Sequence, residues 1–155
     1  MRSVPPRSSL YCAAFLILAL SSVGLLWRGP ADNIGSAAYA TAEYRKEART
    51  LKLAPGRHWP VSPFPSDFHS GKGAGTMQAD EYWFCSWAQQ ALDPKLQRAA
   101  RRQALAQLPK LRRTYSWQHY LPDTRAAKNT IISKALRRNT SELRANCSWL
   151  GQAHG

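Results

Sequence analysis

The sequence predicts an all-α protein: an N-terminal transmembrane or signal helix, then a small irregular helical bundle with a long Pro/Gly-rich loop. Leu10 to Trp27 is an apolar run of eighteen residues without a charge. Beyond it, apolar residues recur at three- and four-residue steps in successive tracts, the spacing of helices with one buried side. Between two of those tracts, Pro55, Pro60, Pro63 and Pro65 are followed by Gly71, Gly73 and Gly75, a composition that resists regular structure. No strand pattern of useful length accompanies them.

The chain therefore divides into three parts. Residues 1–28 form a signal-anchor or signal peptide, with a transmembrane helix over 10–27. Residues 29–75 form a juxtamembrane helix and a Pro/Gly-rich linker, and residues 76–151 a disulfide-linked helical domain. The apolar run would span about 27 Å as a helix, close to the roughly 30 Å hydrocarbon core of a bilayer. It also exceeds the roughly 7–15 apolar residues of an ordinary signal peptide. Ala38-Tyr39-Ala40 has the small-x-small pattern of a cleavage site but lies far beyond Trp27, and cutting after Ser22-Val23-Gly24 would leave Leu25-Leu26-Trp27 on the mature end. A retained single-pass anchor is the leading expectation, with secretion after cleavage as the alternative. Arg2 and Arg7 precede the run and only Arg28 and Asp32 follow it closely, a bias that keeps the N-terminus cytoplasmic and the domain extracytoplasmic.

The cysteines agree with export. Cys12 belongs to the apolar run, which leaves Cys85 and Cys147 as an even pair beside aromatic residues. In an oxidising compartment such a pair is expected to be bonded. Neither lies in a C-x-x-C redox motif or near a histidine in sequence, so a catalytic thiol is not expected.

Helix by helix, the first tract places Ala37, Ala40, Tyr44, Ala48 and Leu51 on one side and ends before Pro55-Gly56. After the proline-rich stretch, Thr76 reads as the N-cap of a central helix reaching Leu92, with Asp80 and Glu81 complementing its N-terminal dipole. Asp93-Pro94 opens a helix over Pro94–Leu108, and Pro109 ends it. A short tract with Leu111, Tyr115, Trp117, Tyr120 and Leu121 leads to Pro122. Asp123 then caps a helix carrying Ile131, Ile132, Ala135 and Leu136. Asn139-Thr140-Ser141-Glu142 resembles a capping box before a last helix that stops at Gly151.

Chemistry-bearing motifs are sparse. Gly71-Lys72-Gly73-Ala74-Gly75-Thr76 precedes a helix but lacks P-loop spacing, and the strands of a nucleotide fold are missing. His58, His69, His119 and His154 lack metal-ligand companions at i,i+4 or C-x-x-C spacing. No cofactor, metal or catalytic residue is expected. Charge is the remaining signal. Of the net +13, residues 94–145 hold thirteen Lys/Arg against Asp123 and Glu142. Arg98, Arg101, Arg102, Arg112, Arg113, Arg137 and Arg138 are the candidate contacts to an anionic surface. The same arginines spread around the bundle would only solubilise it.

The leading functional expectation is a membrane-anchored extracytoplasmic binding or structural module with a basic surface. Its partners would be the membrane itself, anionic lipid, an acidic envelope polymer or another envelope protein. A small secreted or anchored hydrolase without a recognisable motif is the alternative. A nucleic-acid-binding protein is the third reading, and membrane targeting argues against it.

Overall fold

The structure, a computed structural model, describes residues 34–151; the expected membrane helix over 10–27 lies outside them. Two short strands and six α-helices follow one another. β1 (Ile34–Ser36) leads into α1 (Ala37–Ala48), β2 (His69–Gly71) into α2 (Ala74–Leu92). Then come α3 (Arg98–Leu105), a 3-10 segment over Leu108–Arg113, α4 (Tyr115–His119), α5 (Pro122–Leu136), α6 (Ser141–Asn146) and a final 3-10 turn over Ser148–Gly151. The all-α expectation holds in this coarse sense. The strands are its one exception: β1 and β2 pair antiparallel, Ile34 opposite Gly71 and Ser36 opposite His69. Among the described residues no helix is long and apolar enough to cross a membrane.

α2 is the central helix. Ala79, Tyr82, Trp83, Phe84, Cys85, Ala88 and Ala91 are all buried, so little of its circumference meets water. α1, α3, α4, α6 and both 3-10 segments pack around it. From α5, Ile132 and Ala135 reach the same core, joined by Leu108, Leu111, Leu143 and Leu150. Cys85 and Cys147 are bonded, with Cα atoms 5.2 Å apart, which fastens the C-terminal end of the bundle to the middle of α2.

The segment from Arg49 to Gly73 runs from α1 to α2. Ile34 onward is one compact unit, and the proline-rich stretch packs against its core through Trp59. Leu53 and Ala54 are buried. Trp59 lies between Tyr44 and Tyr82, with ring centroids 5.5 and 5.3 Å away, and Phe64 packs on Phe68. Prolines leave backbone donors scarce here, and α2 side chains satisfy the carbonyls instead. The Trp83 and Trp87 indoles both donate to the Lys52 carbonyl (3.0 and 3.1 Å), and the Tyr82 hydroxyl donates to that of His58 (2.8 Å). These bonds tie the irregular segment to α2 at three side chains.

Helix boundaries differ from the sequence expectation where tertiary partners intervene. α2 begins at Ala74, not Thr76, and Gly73 ahead of it sits at φ 90° with no side chain to cap the helix. Glu43 of α1 supplies the cap: its carboxylate accepts the N–H groups of Gly73 (2.9 Å) and Gly75 (3.2 Å). α3 begins at Arg98, not Pro94, because the Asp93 side chain accepts the Lys95 N–H (2.8 Å) and holds a turn in place of the first helical turn. Pro109 does not break the chain. It sits in the first turn of the 3-10 segment, where a missing N–H is harmless. The capping box at Asn139 does not form, since Glu142 pairs with Lys134 and the Ser141 hydroxyl donates to Asn139.

Candidate functional site

The seven candidate arginines do not share one face. Arg98, Arg101 and Arg102 project from α3, and Arg138 follows the end of α5. These four line a single cleft of about 310 Å³, completed by Arg144 of α6, Thr140 and the apolar Ala91, Leu92, Pro94 and Leu105. Arg112 instead donates from Nε to Asn129 on α5 (3.0 Å). Arg113 borders a different cleft, and Arg137 is exposed and lines neither. Arg144 was missed by sequence reasoning; no local spacing relates it to α3, and only the packing of α6 beside α2 brings them together.

Five arginines line one cleft with no carboxylate among its lining residues, so their like charges meet there without an acidic partner. Among the described residues the salt bridges are Lys128–Glu81 (2.7 Å) and Lys134–Glu142, so none of the five arginines is neutralised by an ion pair there. Arg101 Nε is buried without a hydrogen-bond partner. Arg138 adopts φ +69°, the left-handed region where a side chain is disfavoured.

The larger cleft, about 720 Å³, is lined by Trp83, Trp87, Tyr115, Gln103, Gln107, Gln118, Glu47, Lys110 and Arg113 among others. Its polar groups largely satisfy one another. Lys110 donates to Gln107 (2.6 Å), Thr50 to Glu47 (3.2 Å), and both indoles to Lys52. Charges of both signs line it, so it selects no ligand charge.

Asp80 and Glu81 do not serve the helix dipole, because α2 starts six residues before Asp80. Glu81 instead accepts from Tyr120 and from Lys128, whose ammonium also lies 5.1 Å from the Phe84 ring centroid. Asp80 is fully buried and accepts the Ser116 N–H (2.8 Å), tying α2 to α4, while its Oδ1 has no partner. Burial pushes its carboxyl above the usual range against the lowering effect of the Ser116 bonds. A buried carboxyl of raised pKa is a feature of many active sites, but no substrate reaches this one. Its consequence is for stability. Because the folded value is the higher, its contribution is complete below the unfolded value of about 3.9 and is lost as pH rises through the folded one. The native chain's stability advantage over Asp80→Asn should therefore shrink as pH rises above about 4. Urea midpoints of both proteins across that range measure it; an advantage that grows with pH would show the charged form to be the stabilised one.

Among the described residues no group of three His, Cys, Asp or Glu side chains is placed to hold a metal ion. His119 is engaged locally, stacked on Tyr115 with its Nδ1 2.8 Å from the Tyr115 carbonyl oxygen. No family model, curated protein or solved structure matches the chain.

Proposed function

We propose that this chain is a membrane-tethered, extracytoplasmic binding module whose arginine-rich side, at α3 and the α5–α6 turn, docks on anionic lipid. The observation that carries the reading is the convergence of Arg98, Arg101, Arg102, Arg138 and Arg144 on one cleft without a carboxylate. The sequence supplies the rest: the apolar run at 10–27 as anchor, its flanking charge for orientation, and a bonded cysteine pair suited to an oxidising compartment. Nine residues separate Trp27 from α1. Even fully extended they reach only about 30–35 Å, so the headgroup layer is the nearest polyanion to an anchored domain. Each basic residue near an anionic bilayer contributes about 1 kcal/mol, within a Debye length of about 8 Å at physiological salt.

The test uses the full chain in nanodiscs of neutral or anionic lipid, with amide hydrogen exchange as the readout. Exchange at α3 and the α5–α6 turn should slow in anionic discs alone, and the protection should vanish in molar salt. Equal exchange in both lipids would remove the lipid-docking role. Protection that appears only when a soluble acidic polymer is added would transfer that role to an envelope polymer.

A further inference from the structure

We infer that the arginine cleft is a discrete phosphate-ester site, not merely the densest part of a basic surface. The inference deepens, and rests on, the reading of this side of the domain as anion-docking. Three features distinguish a site from a patch. The arginines come from separate parts of the fold, three from α3, one from the turn after α5 and one from α6, so an anion in the cleft would draw on all three. The apolar lining from Ala91, Leu92 and Leu105 lowers the local dielectric, which strengthens a guanidinium–oxyanion contact relative to one in open water. Arg101 Nε is buried without an acceptor on a residue that lines the cleft, a donor that an oxyanion there would satisfy.

Arg138 provides the fourth and most specific observation. The end of α5 is a Schellman turn: the Asn139 N–H donates to the Lys134 carbonyl and the Arg138 N–H to that of Ala135, both at 2.9 Å. The position after the C-cap in this turn requires a left-handed residue and is the usual place for glycine. Here it holds an arginine, at φ +69°. Folding alone would favour glycine, so the side chain kept there serves something other than folding.

The ligand class follows from geometry and charge. A guanidinium is a planar fork matched to two oxygens, and several forks need an anion with several acceptor oxygens. A phosphate has that many and can carry more than one charge; a lone carboxylate has two oxygens and one charge. A cleft of about 310 Å³ is at the small end of the roughly 300–1,000 Å³ range of ligand sites. It holds a phosphate with a short ester substituent. Such a group reaches the cleft either on a phospholipid headgroup or on a soluble phosphate ester.

The experiment titrates the full chain in detergent micelles with inorganic phosphate and then glycerol phosphate, following the arginine Nε–H resonances by NMR. Arg101 and Arg138 should shift saturably, with no shift from chloride at matched ionic strength. Arg138→Gly should weaken phosphate binding about tenfold while its thermal midpoint stays equal or rises, a combination a purely structural arginine would not give. Arg137→Gln removes the same charge one residue away, outside the cleft, and should leave phosphate binding unchanged. Uniform, unsaturable drift of all arginine resonances, or equal weakening by Arg137→Gln and Arg138→Gly, overturns the site. The nanodisc measurement separates the two readings. Lipid protection that persists in Arg138→Gly, with no saturable phosphate binding, leaves a diffuse docking surface and refutes the cleft. Saturable phosphate binding without lipid protection supports the cleft and assigns it to a soluble phosphate ester.

Discussion

Reducing the Cys85–Cys147 bridge is expected to destabilise the domain by about 4 kcal/mol, because the two residues are 62 positions apart and the bridge removes that much loop entropy from the unfolded chain. For a protein whose whole stability is about 5–15 kcal/mol the loss is large. The thermal midpoint should fall by roughly 10–20 °C. Both sulfurs are nearly inaccessible to solvent, so mild reductant acting on the native protein should be slow, and reduction after partial unfolding fast. The clean comparison is the midpoint of oxidised and fully reduced chains, with mass spectrometry of the alkylated product confirming the state of each. Equal midpoints would mean that packing of Leu143 and Leu150 alone holds the C-terminal turns in place. The bridge also bears on the cleft. It anchors the residue after α6, and α6 carries Arg144, so the reduced protein should lose phosphate affinity before it loses its helices.

What the sequence made legible was local or statistical. Ala40 and Tyr44 stand four apart and both are buried, and the even cysteine pair is bonded. Local patterns failed where one element completes another. Thr76 has the chemistry of an N-cap, but Glu43 lies thirty residues before Gly73 and reaches the α2 N-terminus from a neighbouring helix, which no window along the chain can register. Asp80 reads as a dipole residue only if α2 starts near Thr76; with the start at Ala74 it lies beyond the first turn, and its buried carboxylate meets Ser116 instead. The proline-rich stretch shows the same limit. Its prolines indicate irregular backbone correctly, and its aromatics Trp59, Phe64 and Phe68 are the part of the signal that speaks for packing. The charge asymmetry of residues 94–145 includes all five arginines of the cleft, yet which arginines line it depended on helix packing. That packing separates Arg112 and Arg113 from the cleft and recruits Arg144.

Gly75→Ala should destabilise this fold strongly for a single added methyl group. A Cβ at Gly75 would stand 1.9 Å from the Ala40 carbonyl oxygen and 2.8 Å from its carbon, inside the contact between α1 and α2. The obstruction is backbone of a neighbouring helix, so no rotamer change relieves it. The helices must separate, and with them go the Glu43 bonds to the Gly73 and Gly75 N–H groups that cap α2. Overpacking of this kind destabilises by about 1–3 kcal/mol, and loss of the cap adds about 1 kcal/mol. The sum is near 3 kcal/mol, although helix propensity alone would favour alanine by about 1 kcal/mol at an interior helical position. Gly56→Ala is the matching control. Gly56 sits at φ +75° in the proline-rich segment with open space where its Cβ would be, so the change should cost only the left-handed penalty of about 1–2 kcal/mol. Urea unfolding of the two variants separates a steric cause from a conformational one. If Gly75→Ala proves no worse than Gly56→Ala, α1 does not approach α2 this closely, and the Glu43 cap that depends on the approach fails with it.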